Sequence, residues 1–195
     1  TREPNPKHLQ QLRKSCALKD VEFIEFVNKG THSLAQAYNH AIEVSKHNIL
    51  VCMHDDVYLD KGWDKKLLNY FNTTDYGILG MAGTTDLGET GMWWKDKHLM
   101  VGNVFHKAKK KWIETKYCEK QPNDIIPVVC IDGLFMAMDK SKIQAKFDER
   151  FDGFHFYDVP FCVANFEKEV EIGVITDIKI KHDSIGVPNE KWFEN

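Results

Sequence analysis

The chain has little cysteine, little excess charge and no long apolar run, and each shortage closes off a class of protein. Its five cysteines, Cys16, Cys52, Cys118, Cys130 and Cys162, are odd in number and form no C-x-x-C pair. That pattern excludes a zinc knuckle and a disulfide framework, and it points to a reducing compartment. Cys52, Cys130 and Cys162 lie in apolar segments, where a free thiol behaves as a small hydrophobe. No apolar run approaches the ~20 residues of a helical membrane span. No signal peptide is visible, and the chain opens at Thr1 without a methionine. Asn72-Thr73-Thr74 is a formal glycosylation sequon, but nothing else suggests secretion. Lys and Arg total 26 against 29 Asp and Glu, a net charge of −3, so nothing global argues for nucleic acid. The expected location is cytoplasmic. The basic run Lys107, Lys109, Lys110 and Lys111 reads as a solvated loop. Its alternative reading is contact with an acidic acceptor or with the inner face of a membrane. Repeats, low-complexity stretches and linkers are also missing, so residues 1–195 read as one domain.

What is present is an ordinary globular composition, 43% hydrophobic over 195 residues, enough to bury about 70% of the unfolded chain's surface. Pro4 and Pro6 precede a helical stripe of Leu9, Leu12, Cys16 and Ala17. Val21 to Val27 reads as a strand, and Asn28 to His32 as a turn. Ser33 caps a helix that turns Leu34, Ala37, Tyr38, Ala41 and Ile42 inward. Asn48 to Met53 reads as a buried strand, Gly62 to Phe71 as a short helix, and Tyr76 to Ala82 as a further strand. This alternation predicts an α/β fold with a mostly parallel sheet. Gly83 to Lys97 reads as a loop carrying Trp93-Trp94. Strands are then expected at Leu99 to Phe105, Ile125 to Asp132 and Leu134 to Met138, with a helical turn at Ser141 to Ala145. Val159 to Glu167 reads as a helix with Pro160 in its first turn, followed by strands at Val170 to Ile175 and Ile178 to Ile180.

Four constellations could carry chemistry. The apolar run Ile49 to Met53 ends abruptly in His54-Asp55-Asp56. Open α/β sheets build ligand sites at the carboxyl ends of their strands, and adjacent carboxylates there repel unless a cation lies between them. A divalent metal on carboxylates usually also grips phosphate. The plainer reading is a turn, with Asp56 capping the next helix. Asp158, after Phe154-His155-Phe156-Tyr157, is either an N-cap or a partly desolvated general base; His155 either packs or contacts substrate. His182-Asp183-Ser184, after the last strand, offers an imidazole to a metal or simply faces solvent. Asp132-Gly133 splits two apolar segments, which suggests a bulge or close backbone approach by a ligand.

Taken in order, these segments resemble a GT-A glycosyltransferase, and especially the bacterial glycosyltransferase-like group related to family 2. The matching pieces are Tyr38-Asn39, His54-Asp55-Asp56-Val57 with Trp63 behind it, Ala82-Gly83 followed by Trp93-Trp94, and Asp132-Gly133-Leu134-Phe135. After them come Phe147-Asp148-Glu149-Arg150-Phe151, Phe154 to Asp158, Gly173-Val174-Ile175, and His182 with Ser184-Ile185-Gly186. The resemblance implies a Rossmann-like, mostly parallel sheet flanked by helices, with a smaller acceptor-side part. It also implies one more strand before the first helix. Thr1-Arg2-Glu3-Pro4 resembles its end, and about five to eight further residues would complete it, from ordinary strand lengths; the native gene is expected to encode them.

The resemblance further implies metal-dependent transfer of a hexosyl group from a nucleotide-sugar, a UDP-sugar above all, to a hydroxyl acceptor, with inversion, in surface polysaccharide biosynthesis. In that reading Asp56, His182 and His54 hold the metal, with His54 standing where the family places an acid. Mixed oxygen and histidine ligation suits Mn²⁺, or else Mg²⁺. Asp158 is the catalytic base. Asp55, Asp56, Tyr38 and Asn39 meet the donor. Asp132, Gly133, Trp94, His155 and Tyr157 line the acceptor side. Two rival readings stand beside it: a metal-dependent phosphohydrolase on His54, Asp55, Asp56 and His182, and a non-catalytic nucleotide-sugar or glycan-binding module that keeps the fold.

Overall fold

A computed structural model describes residues 5–108, 111–118 and 125–184. The strand end read at 1–4, Lys109 and Lys110 of the basic run, residues 119–124 and Ile185-Gly186 lie outside the described residues. The helices are α1 (Pro6–Ser15), α2 (Leu34–Val44), α3 (Trp63–Thr73) and α4 (Asp158–Phe166). Strands β1 (Ile49–Met53), β2 (Val57–Leu59), β3 (Ile78–Gly80), β4 (Ala82–Thr84) and β5 (Met100–Ala108) come first. They are followed by β6 (Lys111–Lys116), β7 (Ile125–Pro127), β8 (Cys130–Ile131), β9 (Phe135–Asp139), β10 (Ile172–Ile175) and β11 (Ile180–His182).

Local chemistry sets the helix starts. The Asn5 side chain accepts from the backbone N–H of His8 at 3.1 Å, and Pro6 opens α1, where a missing N–H costs nothing. Ser33 and Gln36 exchange hydrogen bonds of 3.2 and 3.0 Å in a capping box at the head of α2. Ser141 to Ala145 forms a turn and irregular chain rather than the expected helical turn.

The strands form two sheets, ordered β1-β9-β3-β10-β7 and β2-β11-β5-β4-β8, with β6 hairpinned onto β5. The mostly parallel sheet expected from sequence is corrected here. Among the described residues only β3 with β10 and β5 with β11 pair in parallel. β1 and β3 do run the same way, but β9 lies between them, antiparallel to both. The strand expected at Val21 to Val27 is irregular chain without a ladder. No described strand pairs with that segment. The outer edge of β1 likewise has no described partner.

β9 is an inner strand of the first sheet, between β1 and β3. Its side chains alternate between the two faces of the sheet, as a strand's must. Phe135 and Ala137 enter a core with Trp63 and Leu67 of α3, where the Trp63 and Phe135 rings meet edge-on at 5.7 Å. Met136 and Met138 enter the opposite core, with Phe161 and Cys162 of α4 and Tyr38 of α2. Fully burying side chains of this size stabilises the fold by about 1.5–3 kcal/mol each.

Asn39, on α2, ties this frame to the loop before α4. Its amide donates to the Phe147 carbonyl at 2.9 Å and to the Glu149 carboxylate at 2.7 Å, and it accepts from the Phe147 N–H at 2.9 Å. Asn39→Ala would leave buried backbone groups of Phe147 unpaired, so it should cost about 1–3 kcal/mol. A clear fall in the urea midpoint at unchanged slope is the expected outcome; an unmoved midpoint would contradict it.

Candidate active site

Strand pairing brings the acidic and imidazole groups together. His54 extends β1 by one step, its N–H donating to the Leu134 carbonyl at 3.1 Å. Asp55 is exposed at the turn that follows, and Asp56 leads into β2. β2 and β11 pair antiparallel with Val57 opposite His182, and the Asp183 N–H donates to the Asp56 carbonyl at 3.0 Å. His182 Nε2 therefore lies 3.2 Å from Asp56 Oδ1. Ligand atoms of His54, Asp56 and His182 all lie within 4.8 Å of one another.

Their surroundings prepare them differently. Burial, reinforced by the neighbouring His182, pushes the His54 pKa down to about 4, so its imidazole is neutral near pH 7. Burial opposes charge on Asp56 and on His182, yet each favours the charged form of the other. Asp56 is drawn below the usual carboxylate range and His182 is raised above the usual imidazole range. Two nitrogens and one carboxylate form a mixed donor set that fits a first-row divalent cation such as Mn²⁺. Such a trio leaves further coordination positions for oxygens of a ligand.

A second acidic pair is built on one turn. Asp132 Oδ1 accepts from the Leu134 N–H at 3.0 Å, while the intervening Gly133 N–H donates to Asp158 Oδ2 at 3.0 Å. Asp158, the first residue of α4, also accepts from the N–H of Val159 at 3.0 Å. Burial, then the nearby Asp158 charge, raises the Asp132 pKa to about 7. Burial raises that of Asp158 too, against the pull of the Gly133 and Val159 N–H groups.

Both groups open onto one cleft of about 1280 Å³, which also runs along the outer edge of β1 and the segment from Val21 to Phe26. Every site residue expected from sequence lines it except Asn39 and Gly133. The Asn39 amide is engaged by Phe147 and Glu149. Gly133 faces Tyr157 instead: a Cβ there would sit 2.1 Å from the Tyr157 hydroxyl oxygen. Tyr157 is 5% exposed, with its ring against Tyr38 and Phe147. Tyr38 is 9% exposed and packs in the same cluster. Trp94 is half-buried at the cleft and meets the buried Trp93 edge-on at 5.8 Å. His155 is half-buried there as well. His106 was not foreseen. It stands on β5 opposite His182, with rings 5.8 Å apart, and its Nδ1 lies 3.1 Å from the Ser184 carbonyl. Nothing in its local sequence marks it; only the β5–β11 register reveals it.

The family model of the glycosyltransferase-like family matches residues 7–192, and the chain belongs to that family. No curated protein matches it. Among solved structures the fold is similar to that of GalNAc-T7, solved with UDP, GalNAc and Mn²⁺, at a TM-score of 0.55 and 9% identity. That similarity covers 86% of this chain and 33% of GalNAc-T7, so the chain spans about a third of that protein's length.

The raised pKa of Asp132 has a stability consequence. A carboxyl with a folded pKa near 7 and an unfolded pKa near 3.9 carries no penalty below both values. Its cost to the folded state grows as pH rises from about 4 to about 7 and is then constant. Asp132→Asn keeps the acceptor for Leu134 and removes the charge. The variant's melting temperature should therefore gain on wild type progressively across that window; a difference that does not change with pH would contradict it.

Proposed function

We propose that this chain is a divalent-cation-dependent glycosyltransferase that moves a sugar from a UDP-sugar onto a hydroxyl of a glycan acceptor, with inversion at the anomeric carbon. The observation that carries this reading is the meeting, in one cleft of a glycosyltransferase-like family member, of the His54, Asp56 and His182 trio with the Asp132 and Asp158 pair. UDP and Mn²⁺ are the first donor base and cation to test, because both accompany the structurally similar GalNAc-T7.

In this mechanism His54, Asp56 and His182 would hold the cation. Mn²⁺ would supply neutralisation of the charge that builds on the departing diphosphate. His54 serves as a ligand without first losing a proton, since its pKa lies near 4. Asp158 takes the proton from the acceptor hydroxyl as that oxygen attacks the anomeric carbon from the face opposite the diphosphate. Its raised pKa makes it a stronger base than a solvated carboxylate. The N–H groups of Gly133 and Val159 hold its oxygens in place, so little motion is lost when the acceptor arrives. Asp55, exposed beside Asp56, is placed to accept from donor hydroxyls, and the half-buried Trp94 can lie along a sugar face.

Calorimetric titration with UDP, with Mn²⁺ and with EDTA, tests the cation site. Binding that depends on Mn²⁺ and is lost in Asp56→Ala is the expected result; equal affinity in all conditions would rule the site out. Asp158→Asn should keep that binding and lose about 10²–10⁴-fold in turnover. Unchanged turnover would remove Asp158 as the base. UDP binding without transfer to any acceptor would instead favour a non-catalytic module.

A further inference from the structure

The β5–β6 hairpin carries a charge and an apolar edge that the proposed reaction does not use. Residues 107–116 hold five lysines, Lys107, Lys109, Lys110, Lys111 and Lys116, against one acid, Glu114. That is a formal +4 in ten residues of a chain whose net charge is −3, so the remainder carries −7. β6 is exposed along almost its whole length, and among the described residues it pairs with β5 alone. In that ladder Lys107 lies opposite Trp112, and His106 opposite Ile113. Opposed residues share a face of the ladder, and successive residues point to opposite faces. Lys107, Trp112 and Lys116 therefore stand on one face, and Lys111 and Ile113 on the other. Trp112 is 36% exposed and Ile113 54%. Tyr58 meets the Trp112 ring edge-on at 6.1 Å, and Lys107 Nζ lies 5.7 Å from its centroid.

We infer that this hairpin docks edge-on against an anionic lipid surface, with Trp112 and Ile113 entering the headgroup region and the lysines meeting lipid phosphates. The directions of the two apolar side chains select this occupant. A protein or a nucleic acid laid against either face of β6 would cover one of them and leave the other in water. A fluid interface entered by the edge of the hairpin takes both. Tryptophan favours that interface, and each lysine held near an anionic surface adds attraction. The apolar stem of a lysine can lie beside a buried neighbour while its ammonium stays among the headgroups. Lys107 is already held by Asp183 at 2.7 Å, so Lys111 and Lys116 are the described lysines on which the attraction is tested. The hairpin also stands beside the cleft. His106 lines the cleft and lies between Ile113 and His182 across its two ladders. Docking would bring the cleft within reach of an acceptor carried on a lipid. That consequence rests on the function proposed above; the docking does not.

The test is co-sedimentation of the full chain with vesicles, without nucleotide or metal, so its outcome is separate from that of the UDP titration. The chain should bind vesicles of phosphatidylcholine mixed with phosphatidylglycerol, bind phosphatidylcholine alone more weakly, and lose binding as salt rises. Lys111→Glu combined with Lys116→Glu should lower the partition coefficient about 30-fold or more. Trp112→Ser combined with Ile113→Ser should lower it about tenfold or more. Lys29→Glu combined with Lys65→Glu makes the same change in net charge at exposed positions elsewhere and should bind as wild type does. No binding to the mixed vesicles, binding that both hairpin pairs leave unchanged, or an equal loss in the Lys29 and Lys65 pair would overturn the docking. Binding to polyuridylate in place of vesicles would give the hairpin another partner and overturn it as well.

Discussion

The pairing of β9 between β1 and β3 is the constraint on which the cleft depends. β9 is fully buried from Phe135 to Met138 and divides its side chains between the two cores. At its start, the Leu134 carbonyl holds the His54 N–H, which fixes one side of the cation trio. The turn just before it, Asp132-Gly133, holds Asp158 through a backbone N–H and receives the Tyr157 hydroxyl. A slip of one residue between β9 and β1 would turn each of these groups to the other face of the sheet. The register is therefore set by core burial and read out as the geometry of the cleft.

The site is costly for the fold that carries it. Asp132 with a pKa near 7, Asp158 with a raised one and His54 with a depressed one all report charge that burial resists. Backbone N–H donors hold Asp132 and Asp158, and the Tyr157 hydroxyl lies 2.7 Å from His54 Nε2. Strain at Phe156, whose φ is 55°, belongs with them. A chain selected for stability alone would place apolar residues at such positions, so their clustering in a single cleft is physical support for a functional reading.

Much of this was legible from sequence. His54-Asp55-Asp56 stood out because an apolar run ends there, and the structure indeed turns at that point. The Ser33 cap and the α4 helix followed from residues whose hydrogen-bonding habits are local. Strand direction was not legible. An apolar run such as Phe135 to Met138 reports burial on both faces and reads the same in a parallel or an antiparallel pair. For that reason the insertion of β9 was missed. β6 was missed because its residues are nearly all exposed, and the segment from Val21 to Val27 looked like a strand because hydropathy cannot show whether a neighbour exists. The tie from Asn39 to Phe147 and Glu149, the bond between Tyr157 and His54, and the placing of His106 beside His182 join residues far apart in the chain. They depend on the register of the sheets, which no local pattern encodes.

The account stands or falls on where a cation binds. Crystals grown with UDP and Mn²⁺, measured at the manganese absorption edge, would locate it directly by anomalous scattering. One strong peak is expected within coordination distance of His54, Asp56 and His182, beside the diphosphate of the bound UDP. A peak elsewhere, or ordered UDP in the cleft without manganese at that trio, would contradict it.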